Sequence, residues 1–263
     1  MVSAVIFDFD GTIIDTEWSQ FATVQAEFRR HGHEYDLESF RAIVGRADGP
    51  HWLDVLLDLT GPRNDVEEIR NRRLQSHHDL IAETELRPGV LELIEALEQT
   101  GHRRAVASSS PSSWVERHLD ARGLLDRFQF IATRDHVERA KPWPDVFLAA
   151  ANGLGVEPGR CLVIEDSHNG VMAAKAAGMI CVAVPNEVTA ASDLSAADLI
   201  LDSLADLPYE RFGLHQRPDP SGPATDGTGG AEAGSDQPSD DPATTSISVS
   251  RASANRSDRS SAE

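Results

Sequence analysis

A chain of 263 residues is long for one average domain and short for two, and its 40% hydrophobic residues supply enough apolar side chain for a sizeable core. Its formal charge of -19 excludes a duplex-binding surface, because so acidic a body repels phosphate backbones at long range. Any anionic ligand must be drawn in by a local cation.

Apolar runs of strand length alternate with segments of helical period, the pattern of an α/β sheet with crossover helices. Residues 4–7 form the first run; no basic stretch precedes it and Asp8 breaks it, so it does not read as a secretory signal. Residues 15–84 then read as helices only. Trp18, Phe21, Val24 and Phe28 mark an amphipathic helix ending at Gly32, and residues 37–44, 52–59 and 66–81 mark others. After a hinge at Leu86-Arg87-Pro88-Gly89 the alternation returns, with strands expected at 104–107, 128–132, 161–164, 180–184 and 199–201. Helices are expected between them at 90–97, 112–119, 142–154 and 169–177, the last stopped by Gly178. Runs apolar throughout suit parallel strands buried on both faces. Cys161 and Cys181 lie inside such runs and read as small buried hydrophobes, which fits a reducing cytoplasm. No run approaches the roughly 20 apolar residues of a bilayer span, so no membrane contact is expected. From Arg217 to Glu263 there is no Leu, Met, Phe, Tyr or Trp, and 216–263 reads as a disordered acidic tail rich in Ser, Asp, Gly and Pro. The fold class is therefore α/β: a parallel Rossmann-like sheet core from 1–14 and 85–215, an all-helical insertion at 15–84, and the tail.

Chemistry-bearing residues gather at the strand ends. Asp8 and Asp10 follow the first strand, Gly11 permits a tight turn, and ligands collect at such tips in parallel sheets. Alone, Asp-x-Asp-Gly-Thr also fits a surface turn. Ser108-Ser109-Ser110-Pro111 leads a strand into a helix N-terminus, an anion site, with Pro111 at the first helical position and Ser110 suited to a plain cap. Lys141 is one of two lysines among 24 basic residues and precedes a helix begun by Pro142, where an ammonium serves as a point charge against phosphate. Glu165 and Asp166 end the strand at 161–164, with Ser167 available to cap the next helix. Should Asp8, Glu165 and Asp166 converge, each pair about 4 Å apart costs roughly 4 kcal/mol at an effective dielectric near 20, so the set demands a cation, a hard divalent ion with oxygen ligands.

Taken in order, these motifs closely resemble those of the haloacid dehalogenase-like hydrolases, in particular the phosphatase and β-phosphoglucomutase-like subfamily with a helical cap inserted after the first motif. The resemblance covers about residues 4–207. It implies that 15–84 is that cap, that Asp8 is a nucleophile forming an aspartyl-phosphate, and that Asp10 is general acid and then base. It further implies that Ser108, Ser109 and Lys141 hold the phosphoryl oxygens. Mg²⁺ would sit on Asp8, the Asp10 backbone carbonyl, Asp166 and Glu165. The dehalogenases resemble this pattern with a tyrosine in place of Asp10, so an oxygen leaving group is implied here; Phe9, where the transport ATPases carry lysine, excludes those.

The expected activity is hydrolysis of a small phosphorylated metabolite, a sugar phosphate first, by a monomer. A sugar phosphomutase is the alternative, disfavoured because Gln20 and Asp48 stand where the related mutases carry a histidine and an arginine. Thr16, Gln20, Gly45, Arg46, His51 and Trp52 are the expected specificity residues. A phospho-accepting receiver switch also places acids, a hydroxyl and a lysine at strand ends, but needs no helical insertion. His77 and His78 read as a solvated helix face, Trp18 as helix core, and Trp114 and Trp143 as packing.

Overall fold

A computed structural model describes residues 1–41, 51–62 and 65–215. The expected tail at 216–263, and with it Gly45, Arg46 and Asp48, lie outside the described residues. Six strands, β1 (Ala4–Phe7), β2 (Arg103–Ala107), β3 (Phe130–Ala132), β4 (Cys161–Glu165), β5 (Ile180–Ala183) and β6 (Leu199–Ile200), form one sheet in the order β3-β2-β1-β4-β5-β6. Every pairing is parallel. Phe7 lies opposite Val106 on one side and Ile164 on the other. This register brings Asp8, the serines after β2 and the acid pair at the end of β4 out at one edge of the sheet.

Side chains alternate between the two faces of the strands. Val5, Phe7, Val106, Leu162, Ile164 and Val182 face one way and pack on α5 (Val90–Thr100) and α6 (Ser112–Asp120). Ala4, Ile6, Ala105, Cys161, Val163 and Cys181 face the other way and pack on α7 (Asp145–Leu154) and α8 (His168–Ala176). Both cysteines are free and buried. Burying a side chain such as Phe7 contributes about 1.5–3 kcal/mol, so two apolar faces and two helical layers account for a stable core.

Between β1 and β2 the described chain is helical: α1 (Thr16–Arg30), α2 (Leu37–Arg41), α3 (Trp52–Thr60) and α4 (Val66–Glu83). These helices share a hydrophobic cluster built on Phe21, Val24, Phe28, Phe40, Leu53, Leu56 and Ile69. Ile14 and Leu86 pair across an antiparallel bridge, so the chain leaves the sheet layer and returns to it at one place. Arg87 ties that place down: its Nη1 donates to the carbonyls of Gly11 and Val184 (2.8 Å to the latter), and its Nη2 to that of Pro185 at 2.8 Å. The short α9 (Tyr209–Phe212) follows β6. Among the described residues no helix is long and apolar enough to cross a membrane.

Some local expectations are corrected. Helix α6 begins at Ser112 as expected, but Pro111, at ψ 153°, is the extended residue before it and not its first helical residue; α7 begins at Asp145 and not at Pro142, with Pro144 as the residue before it. Trp18 is exposed over Phe21, not core, because α1 turns that edge away from the helical cluster. Trp143 is also exposed, its ring covered by the Arg139 guanidinium at 4.5 Å instead of by packing.

Candidate active site

Asp8 stands one residue beyond β1, its N–H donating to the Ile164 carbonyl at 2.9 Å. The Lys141 ammonium, its side chain only 6% exposed, bonds one Asp8 oxygen and donates to Glu165 Oε1 at 2.8 Å. The other Glu165 oxygen, Oε2, accepts from the backbone N–H groups of Asp166 and Ser167, each at 2.8 Å, and from the Ser167 hydroxyl at 3.0 Å. Asp166 is braced from three directions: Asn186 Nδ2 at 2.7 Å and Thr189 Oγ1 at 3.3 Å on Oδ2, and Thr12 Oγ1 at 3.5 Å on Oδ1. Backbone geometry makes room for these groups. Gly11 has φ +82°, and a Cβ there would sit 2.3 Å from Asp166 Oδ2; a Cβ on Gly170 would lie 1.6 Å from Glu165 Oε1.

One ammonium cannot balance three buried carboxylates. Burial pushes Asp8 up to about 7 against the pull of Lys141, with Glu165 and Asp10 adding to the rise. Burial, then Glu165 and Asp8, hold Asp166 well above the usual carboxylate range. Burial alone would lower Lys141, but the charges of Asp8 and Glu165 carry it upward. Oxygens of Asp8, Glu165 and Asp166 lie within 4.8 Å of one another. An all-oxygen donor set with this excess of negative charge can hold a divalent cation.

The Asp10 carboxylate faces a different set of donors. Ser110 Oγ at 2.6 Å and Ser108 Oγ at 3.2 Å donate to Oδ2, and Trp114 Nε1 donates to Oδ1 at 2.9 Å. Ser110 is thus no plain helix cap, and Trp114 is more than packing. Ser108 is fully buried, with its hydroxyl also accepting the Ser110 N–H at 2.9 Å. The Ser109 hydroxyl accepts the Lys141 N–H at 3.3 Å.

A cavity of about 830 Å³ joins these groups, lined from the sheet side by Asp8, Asp10, Ser109, Ser110, Lys141, Glu165 and Asp166, and from the helical segment by Glu17, Gln20 and His77. Of the expected specificity residues, Gln20 lines it. Thr16, His51 and Trp52 are not among the described residues that do. Thr16 is fully buried, His51 caps α3 by accepting the Leu53 N–H at 3.3 Å, and Trp52 is buried in the α1–α4 cluster. His77 is not solvated: it is 5% exposed and stacks on Trp114, because α4 presents that face to α6. Its imidazole is pushed down to about 4 by burial and then by Arg73, so it stands neutral at pH 7.

Glu17 is the main residue that motif reasoning missed. Burial, then the charges of Asp10 and Asp8, push its carboxyl up to about 8. An acid in the first turn of a helix reads only as a favourable dipole contact, which is why the sequence gives no signal. Arg134, on the rim, was missed as well. Asn186 and Thr189 had a usable signal, polar residues just past a buried strand end.

Three comparisons bear on this geometry. The family described as haloacid dehalogenase-like hydrolase matches residues 5–184. The Bacillus subtilis (strain 168) protein YhcW is 40% identical over 207 residues, 79% of this chain and 94% of its own. Fructose-1-phosphate phosphatase YqaB of Escherichia coli (strain K12) is 32% identical over 186 residues, 69% of this chain and 96% of its own. Among solved structures, that of CbbY from Rhodobacter sphaeroides in complex with xylulose-(1,5)bisphosphate superposes with a TM-score of 0.65 at 32% identity, covering 79% of this chain and 97% of that one.

Proposed function

This chain belongs to the haloacid dehalogenase-like hydrolases and is a phosphoric monoester hydrolase, and on that footing we propose that it is a magnesium-dependent phosphatase acting on a small sugar phosphate through an aspartyl-phosphate. The observation that carries the reading is the buried Asp8 at the tip of β1, paired with Lys141 and within 4.8 Å of the Glu165 and Asp166 oxygens.

In this reading an Asp8 oxygen attacks phosphorus and the bond from phosphorus to the ester oxygen breaks. Asp10 gives its proton to that departing oxygen, then takes one from the water that attacks the aspartyl-phosphate, releasing phosphate and restoring Asp8. Lys141, Ser108 and Ser109 hold the transferring oxygens at the close of β2 and the approach to α7. The donor set fits magnesium: the oxygens are hard, and carboxylates pushed upward by burial and mutual repulsion exchange protons readily for a cation. Asp8, the Asp10 carbonyl and Asp166 would hold it, with Glu165 beside them. When bound, it offsets the charge of the carboxylates and of the phosphoryl group.

Residues 15–84 act in this reading as a cap that excludes water and recognises the leaving group. Glu17 and Gln20 offer that group hydrogen bonds suited to hydroxyls, and the sugar-phosphate names of the relatives support the same class. Phosphate release from a panel of phosphorylated sugars and nucleotides tests it. Turnover should be highest on a sugar phosphate, vanish with chelator and return with magnesium, and fall at least about a thousandfold in Asp8→Asn. Release by Asp8→Asn at the wild-type rate overturns the reading.

A further inference from the structure

We propose that Trp114 is a positioning residue for proton transfer, acting through Asp10 and linking the orientation of that carboxylate to the placement of α4. The inference rests on Asp10 being the proton donor. Three donors reach its carboxylate, but two are serine hydroxyls, which rotate about their own C–O bonds to suit any acceptor. The indole N–H, 2.9 Å from Oδ1, has no such freedom: its direction is set by where the ring is packed.

That packing is unusually definite. His77 of α4 stacks on the indole with centroids 5.5 Å apart and planes 13° apart. His118, one turn further along α6, meets it edge-on at 4.2 Å, and His78 does so at 5.5 Å. His77 and His118 are buried, and the Nε2 atom of each has no hydrogen-bond partner, so toward Trp114 they act as aromatic walls. Trp114 is anchored in the sheet layer through α6, whereas His77 and His78 belong to the helical segment. The indole therefore touches both parts of the molecule and delivers its one polar bond to a carboxylate two residues from Asp8. Movement of α4 changes the seat of the ring, and the ring sets the angle of Asp10.

First-turnover release of the leaving group tests this, because an alkoxide needs the proton from Asp10 and p-nitrophenolate leaves without one. Trp114→Phe keeps a ring between the histidines and removes the N–H. Alkyl phosphate cleavage should slow about tenfold while p-nitrophenyl phosphate cleavage stays within about twofold. In an Asp10→Asn background the same change should cost alkyl phosphate cleavage no more than about twofold further, since its effect runs through the missing carboxylate. His77→Ala, which keeps the N–H but removes a wall, should show the same selective loss at about threefold, and it serves if the Phe variant does not fold. Equal slowing of both substrates, no slowing, or a full additional loss over Asp10→Asn overturns the positioning role. Asp8→Asn measured alongside separates the two readings. If it is inactive while Trp114→Phe shows no selectivity, the positioning role alone fails; if it still turns over, the hydrolase mechanism fails.

Discussion

Lys141 shows how much one side chain does at this site. It carries the single ammonium facing Asp8 and Glu165, and its stem lies on the Phe147 ring, with Nζ 4.6 Å from the centroid. Lys141→Met should lower phosphate release by roughly a hundredfold and destabilise the fold by about 3 kcal/mol, read by turnover and urea unfolding, because it leaves buried carboxylates without their partner. Lys141→Arg should not rescue activity, since a planar guanidinium does not fit a pocket shaped around a compact ammonium. Asn186 acts at one remove, aiming Asp166. Asn186→Ala should weaken divalent-ion binding about tenfold, measured by calorimetry, and also lower the unfolding midpoint, because its Oδ1 accepts the buried Val188 and Thr189 N–H groups at 2.9 and 3.0 Å. Lys141 was legible in the sequence through its rarity and its place before a helix. Asn186 was not singled out: its place just past a buried strand end was a usable signal, but its partner Asp166 is fixed only by the fold.

At the scale of elements, the parallel register does the assembling. Phe7, Val106 and Ile164 lie side by side, so the residues that follow them emerge together whatever the loops do. Helix α8 must also come close: its first turn packs Gly170 against Glu165. Gly170→Ala should cost about 2 kcal/mol by overpacking and reduce turnover, since the only relief is to move Glu165 off Lys141. Gly178, at φ +74° with open space around it, is the contrasting case; Gly178→Ala should cost about 1 kcal/mol through backbone conformation alone and leave turnover unchanged. Melting curves and initial rates on the two variants separate a packing constraint from a conformational one. The elements themselves were legible, because apolar runs and helical periods persist over many residues. The start of α7 was displaced from 142 to Asp145, because proline fits both the first helical position and the residues before it.

For the whole molecule, the sheet layers and the helical segment meet around buried histidines. Burial first, then neighbouring cationic side chains, push both His77 and His118 down to about 4, below the ordinary 6.5. The folded protein therefore binds fewer protons than the unfolded chain between these values. Their contribution to stability is full above pH 6.5 and is lost as pH falls toward 4. Replacing both with Phe should flatten that part of the stability profile, so the double variant should lose clearly less stability than wild type between pH 6.5 and 4 in urea titrations. A wild-type slope in the double variant would show that other groups govern acid unfolding.

The sequence by itself determined the strands, their parallel arrangement, the helical insertion, and the motif residues at the strand ends, because each is written in a local period or spacing that no distant contact needs to supply. Which residues complete the cavity was decided only by the tertiary structure. Glu17, His77 and Trp114 have unremarkable neighbours along the chain, and they acquire their chemistry when α1, α4 and α6 converge on Asp10. Trp52 and His51 went the opposite way, into the helical cluster and a helix cap, since the face a helical residue presents depends on what packs against it.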